Sequence, residues 1–428
     1  MLYSSKMISE KKEISSLEGS IITPFYKGLP ITATGKSISD FLSSEPNLFT
    51  SDFQFPVAVL KRSSLEHNIR RMAQYCEEMG VAISPHVKTT MSPQIAQMQV
   101  DHGAWAITVA NFFQASVFLG FGFKRIFIAN EVLDKSAIRE ISQLNLKEGI
   151  EIYFYIESSS GLEIIQSAIA DLPEARLYLF IEMGAEGARA GIRDVNDVEA
   201  LVKKVVDDKR LVIKGVAGFE GVIPVEDRSL QGSARMREFC QKIVAAGKII
   251  NSYMGENEII LTAGGSAYFD VVVEEFRKYG PGCQILIRSG GYVSHDHGGY
   301  ERTYPFADEE LAKRFLPAIE LWAQVLSQPD SKLAILNMGK RDVGNDVGEP
   351  LPLKRIPAGK TSMESIRGVV DHLNDQHGYL VFEEEQEISV GDLIGLGISH
   401  PCTTFDKWRL IPVVDDEYRV VDLFHTFF

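Results

Sequence analysis

Four short segments carry residue types that could do chemistry. The first is Ser84-Pro85-His86-Val87-Lys88-Thr89-Thr90-Met91, where Lys88 follows an apolar run at Val81–Ser84. A lysine partly withdrawn from water has a lowered pKa and can form a Schiff base with a carbonyl. On position alone the plainer reading, a surface lysine at a loop start, is favoured. The second is Thr262-Ala263-Gly264-Gly265-Ser266, small residues between a strand-like run and a helix-like segment beginning near Ala267. Backbone N–H groups there can approach a phosphate, and Ser266 adds a hydroxyl, although a Gly-Gly pair also makes an ordinary tight turn. An amine and a phosphate cradle in one protein are what pyridoxal phosphate needs.

The third segment is Ser399-His400-Pro401-Cys402-Thr403. In extended chain, residues two apart share a face, so His400 and Cys402 would grip one cation. Imidazole with thiolate suits Zn²⁺, and two protein ligands leave positions for substrate oxygens or water. In isolation a His-x-Cys pair is more often coincidence. The fourth, His295-Asp296-His297, is a competing metal pair, read here as a polar loop beside the cofactor. Asp342 and Asp346 read as a charged turn, and the run Glu383-Glu384-Glu385-Gln386-Glu387 as a solvated face.

The elements that must position these residues show a repeating unit. Val57–Leu60 reads as a buried strand, Ser63-Ser64-Leu65-Glu66 as a capping box, and Leu65, Ile69, Met72, Cys76 and Met79 as one helix face. Further strand-like runs fall at Val81–Ser84, Ala106–Ala110, Ile126–Ala129, Ile152–Ile156, Leu177–Ile181, Val212–Phe219 and Ile259–Thr262, each followed by a helix-like segment. About eight apolar strands alternating with helices predict a closed (β/α)8 barrel of the TIM type. After about Gly290 the rhythm changes to short strands and turns at Lys332–Asn337, Gly378–Phe382, Gly391–Leu396 and Trp408–Val414, which predicts a mostly β second domain. The expected division is an N-terminal arm over 1–50, a cofactor-binding barrel over 51–289 and a β domain carrying the metal ligands over 290–428.

Six motifs occur in order: Pro85-His86-x-Lys88-Thr89, Ala129-Asn130-Glu131, Arg189-Ala190-Gly191, Gly264-Gly265-Ser266, Gly291-Tyr292-Val293-x-x-Asp296 and His400-x-Cys402. Together they resemble the D-serine dehydratase/D-threonine aldolase family, a branch of the alanine-racemase-like, fold type III pyridoxal-phosphate enzymes. The likeness runs from about Phe55 to Val414 and is closest to a bacterial subgroup called D-amino-acid or D-serine deaminases. The resemblance implies that Lys88 is the Schiff-base lysine and that His86 supports it. It also implies that Gly264, Gly265, Ser266 and Tyr292 surround the phosphate, that Arg189 contacts the cofactor ring, and that Asp296 belongs to the same cofactor motif. Ser84, Thr90 and Phe219 stand where the commoner wording has Arg, His and Tyr. A homodimer is implied as well.

Composition is compatible with this reading. The chain has 428 residues and 47.6 kDa, with 45% hydrophobic and 24% charged residues, which suits a large catalytic domain plus a smaller one. A net charge of −14 with no basic run argues against nucleic acid or an anionic membrane as the partner. Cys76, Cys240, Cys283 and Cys402 lie too far apart for a zinc ribbon, and a disulfide framework is not expected. Without an apolar run long enough to span a bilayer or serve as a signal peptide, the expected location is cytoplasmic. The expected activity is elimination of water from a D-3-hydroxy amino acid, D-serine first, with Zn²⁺ assisting the leaving hydroxide. Retro-aldol cleavage is the alternative. A racemase lacks an identified second base, and a non-catalytic pyridoxal-phosphate carrier would not need the β domain.

Overall fold

The computed structural model describes residues 12–223, 230–254 and 258–428. Two sheets organise it. Strand β1 (Val57–Lys61) is followed by β2 (Ala82–Ile83), β3 (Ile107–Val109), β4 (Arg125–Glu131), β5 (Glu151–Ile156), β6 (Leu177–Met183), β7 (Leu211–Gly218), β8 (Ile259–Ala263) and β9 (Cys283–Ile287). Strands β2 to β9 form one parallel sheet in the order β2-β9-β8-β7-β6-β5-β4-β3. Its ends meet through Trp105 N–H to the Ile83 carbonyl, Thr108 N–H to Pro85 and Val87 N–H to Thr108, each 2.8 Å, so the sheet curls into a barrel.

Side-chain alternation explains why these segments close around a filled centre. On β4 and β5, Phe127, Tyr153 and Tyr155 point inward and cluster with Phe180, Ala217 and Leu286, while Ile126, Ile128, Ile152 and Phe154 point outward against the helices. Apolar residues on both faces make the runs look continuous in sequence. Three of the covering helices start on side-chain caps: Asn111 accepts from Gln114 N–H at 3.0 Å, Asp134 from Ala137 at 2.9 Å and Ser158 from Gly161 at 3.0 Å.

The strand expected to open the barrel does not belong to it. β1 lies in a second, ten-stranded sheet, antiparallel to β10 (Ile319–Asp330) and parallel to β17 (Leu410–Val414), and the eighth barrel strand is β9 instead. A short apolar run is equally stable in either sheet, and its partners decide. β9 escaped notice because it opens on Cys283-Gln284 rather than on branched apolar residues. The capping box also fails to form. The helix Arg62–Met79 follows β1 directly, with no side-chain cap, and Ser63 donates to Asp416 instead.

The second sheet is completed by β11 (Leu333–Leu336), β12 (Leu351–Ile356), β13 (Glu364–Ser365), β14 (Val369–Leu373), β15 (Gly378–Val381), β16 (Leu393–Gly397) and β18 (Val420–His425). Its main path is β13-β12-β16-β10-β1-β17-β18. At its centre Trp322 on β10 faces Gly395 on β16, where a Cβ would sit 2.8 Å from the indole, so the register requires glycine there. The N-terminal segment packs Ile22, Leu29, Ile38, Phe41 and Phe53 onto Val57, Val59 and Trp322; residues 1–11 lie outside the described residues.

Candidate active site

Lys88 projects from a tight turn just after β2, in which Thr90 and Met91 both return N–H bonds to the Val87 carbonyl, at 3.2 and 2.8 Å. The amine opens into a cleft at the ends of the barrel strands, lined also by His86, Tyr155, Arg189, Phe219, Gly264 and Arg288 and with a cavity volume of about 70 Å³. A larger hollow around Cys283 and Arg277 holds none of the expected site residues. Burial lowers the Lys88 pKa, with Arg189 and Arg288 acting in the same direction and Cys402 opposing. His86 is held well below its ordinary value by burial and then by Lys88, so its ring is neutral.

Arg288 is the principal residue that sequence reasoning gave no role. It stands directly after β9 and is 2% exposed, donating to the Gly218 carbonyl at 2.7 Å and the Thr262 hydroxyl at 2.5 Å. Its guanidinium lies over the rings of Phe127 and Tyr155, 5.2 and 5.8 Å from their centroids. A charge at a barrel strand's C-terminal end was the available signal, and it was lost with the strand. Glu182, at the end of β6, is its acidic counterpart: burial, then Glu157, raises the Glu182 pKa to about 7.

Gly264 and Gly265 pack too tightly for any side chain. A Cβ on Gly264 would meet the Arg288 Cβ at 2.3 Å, and one on Gly265 the Glu220 carboxylate at 2.7 Å. The following helix begins at Phe269, two residues later than expected. Ser266 hydrogen-bonds the Tyr300 hydroxyl, which in turn lies close enough to Cys402 for their charges to interact. Tyr300 thus joins the Gly264-Gly265-Ser266 turn to the His400-x-Cys402 pair, and nothing in its sequence setting marks it.

Tyr292 and Asp296 sit differently from the rest. The Tyr292 side chain is 3% exposed, accepts from Gln99 at 2.9 Å and packs near Phe315, away from the cleft. Asp296 spends its carboxylate on backbone N–H groups of Gly298, Tyr300 and Glu301, and so fixes the loop that carries Tyr300. His295 pairs with Glu301 at 2.9 Å while His297 is buried against Gly397, so the two rings have separate partners.

His400 and Cys402 are brought together, although by a turn rather than an extended strand. Pro401 has φ −62° and ψ −38°, and Cys402 starts a short helix to Phe405. Proline's fixed φ suits the entry to a helical turn, which overrides the extended geometry expected of the pair. The ring hydrogen-bonds the Cys402 thiol on one side, and Nδ1 lies 2.7 Å from Asp346 on the other, raising its pKa to about 9. Cys402 is lowered despite its burial by His400, by Thr89, whose hydroxyl is 3.1 Å from the sulfur, and by Lys88. Among the described residues no group of three or more His, Cys, Asp or Glu side chains could hold a metal ion, so a cation here would have these two protein ligands.

The donors fit both groups in kind. The buried His86 Nδ1 and Tyr155 hydroxyl have no hydrogen-bond partner among the described residues, and three cations face a cleft suited to an anionic cofactor. A thiol and an imidazole in contact are ligand types that suit zinc.

Comparison with known proteins agrees with this geometry. Residues 318–414 match the family model described as "Putative serine dehydratase domain". D-threonine aldolase of Arthrobacter sp. is 25% identical over 84% of this chain and 89% of its own length. 3-Hydroxy-D-aspartate aldolase of Paracoccus denitrificans (strain Pd 1222) is 21% identical over 88% and 92%. D-threo-3-hydroxyaspartate dehydratase of Delftia sp. (strain HT23) is 29% identical over 32% and 35%. In structure, D-threonine aldolase from Filomicrobium marinum superposes with a TM-score of 0.73 at 21% identity, covering 88% of this chain and 95% of that one. An alanine-racemase-like protein from Idiomarina loihiensis gives 0.69 at 15% identity, over 87% and 96%. The fold is therefore that of the alanine-racemase-like enzymes. Within it, residues 318–414 match the serine dehydratase domain, and the relatives named above are aldolases and a dehydratase, which are lyases.

Proposed function

We propose that this chain is a pyridoxal-phosphate- and zinc-dependent lyase that dehydrates D-3-hydroxy amino acids, D-serine first, to a 2-oxo acid and ammonia. The observation that carries the reading is the contact of His400 with Cys402 at a seam where Lys88 also acts on the thiol. Lys88, His86, Arg189, Gly264, Gly265 and Ser266 would hold the cofactor. Tyr292 and Asp296 would support it from behind, through packing and through the loop. Bound pyridoxal phosphate supplies an electron sink that acidifies the substrate Cα–H. Lys88, its pKa lowered by burial, is the amine placed to take that proton, and neutral His86 adds no competing charge beside it. His400 and Cys402 would hold the cation, which would supply Lewis-acid stabilisation to a leaving oxygen, and a soft thiolate favours zinc over harder ions. A D-threo-3-hydroxyaspartate dehydratase with a cysteine replaced by alanine has been solved in a metal-free form, which accords with a cysteine ligand in that protein. A homodimer is part of the proposal by family likeness. Among the described residues no helix is long and apolar enough to cross a membrane.

Retro-aldol cleavage is the second reading, favoured by the aldolases that align with most of this chain. Incubation of metal-replete protein with D-serine, D-threonine and D-threo-3-hydroxyaspartate decides between them. Formation of 2-oxo acids without glycine supports dehydration. Glycine and aldehyde from D-threonine, with no pyruvate from D-serine, would replace it with the aldolase.

A further inference from the structure

We propose that Asp346 is the positioning residue for His400, holding Nδ1 so that Nε2 is presented to the cation shared with Cys402. The inference rests on the metal reading above. Its geometry is independent of that reading. Asp346 Oδ2 lies 2.7 Å from His400 Nδ1, and Oδ1 accepts from the Thr403 hydroxyl at 2.6 Å. With a cation on the ring, His400 is a neutral imidazole with one N–H and one lone pair, and a carboxylate can only accept, so the proton would sit on Nδ1 and the lone pair on Nε2.

The Asp346 turn is fastened to the histidine turn by more than this bond. Gly344 N–H donates to the Thr404 hydroxyl at 3.0 Å, and that hydroxyl donates to the His400 carbonyl at 3.0 Å. A Cβ on Gly344 would fall 2.0 Å from Thr403 Oγ1, so the two turns meet without space between them. Trp408 anchors the other end of the Asp346 turn by donating to the Asp342 carbonyl at 2.8 Å. Asp342 itself pairs with Lys27 and takes no part in the site. The side chains of Asp346 and His400 are 51% and 23% exposed, and so exposed an ion pair contributes little to stability. What the bond does accomplish is to set tautomer, ring angle and donor strength, the work of a carboxylate behind a metal-bound histidine.

Equilibrium zinc binding by the stripped, full-length protein against a chromophoric chelator tests this. Asp346→Ala should weaken zinc about 10- to 100-fold, and Asp346→Asn, which keeps an acceptor but loses the charge, about tenfold. Thr403→Val removes the other Asp346 bond and only a long contact, 3.4 Å, between the same hydroxyl and His400 Nδ1, and should change affinity by less than about threefold. Cobalt loading gives a second readout, since the thiolate charge-transfer band should keep its position in Thr403→Val and shift in Asp346→Asn. Zinc affinity in Asp346→Ala within about threefold of the unaltered protein overturns the inference alone. Where circular dichroism shows Asp346→Ala unfolded, Asp346→Asn decides by the same line. An unaltered protein binding zinc no better than His400→Ala overturns the metal reading and the inference with it.

Discussion

The cleft around Lys88 and the seam around His400 are held by different physical means. Lys88 stands on a turn fixed by backbone bonds, and its neighbours Tyr155, Gly264 and Arg288 lie on or beside strands whose register is set by the barrel. His400 and Cys402 stand on a short turn whose geometry depends on Asp346, Thr89, Thr403 and Thr404. Substitution in the cleft disturbs buried charges and packing. Substitution in the seam should change ligand geometry while the fold persists. The Lys88 end is thus built into the fold, and the His400 end is added to it by side chains.

That contrast can be broken most decisively at Lys88. Lys88→Ala should lower lyase turnover by about 10³-fold or more, and borohydride should no longer attach pyridoxal phosphate to the 85–91 peptide in mass spectrometry. Reductive attachment to a different lysine would remove Lys88 from the centre of the cleft.

His400→Ala, or chelation, should lower elimination by about 10²- to 10³-fold while the visible absorption of bound cofactor stays unchanged. Full turnover of D-serine by verified metal-free protein would make His400 and Cys402 structural. Loss of cofactor absorption together with the metal would show that cleft and seam are not separable.

The buried charge of the cleft should be legible in stability. The Glu182 pKa is raised from 4.5 to about 7, so the folded protein keeps a proton that the unfolded chain has lost. The contribution of Glu182 to stability is therefore greatest below about 4.5 and is lost as pH rises to about 7. Glu182→Gln should flatten that slope and add about 1–3 kcal/mol at pH 8, measured by urea unfolding across pH. An unchanged slope would mean that Arg288 and Arg189 keep Glu182 ionised.

The smallest expected effect is at Arg189, which is exposed and sits 5.5 Å over the Phe219 ring. Its charge helps lower the Lys88 pKa, so Arg189→Met should move the rise of Lys88 reactivity with pH upward. Reactivity of the amine toward a carbonyl reagent, followed against pH, would read the shift. No movement would leave burial and Arg288 as the groups that depress it.

Much of this molecule is determined locally. Alternating apolar strands and helices predict the barrel, because a strand with both faces covered must be apolar on both, and that is visible one segment at a time. Lys88, the Gly264-Gly265-Ser266 cradle and the His400-x-Cys402 pair are likewise short words whose chemistry is carried by residue type. Tertiary structure decided the rest. β1 went to the second sheet and β9 completed the barrel, because strand pairing is chosen among partners far apart in the chain. Arg288, Tyr300 and Asp346 acquired their places only by packing, since Asp346 stands 54 residues from His400 and no periodicity connects them. Pro401 turned the pair into the start of a helix where the spacing suggested a strand. A residue type states what chemistry is available, whereas burial, charge and distance to partners remote in sequence decide what it is positioned to do.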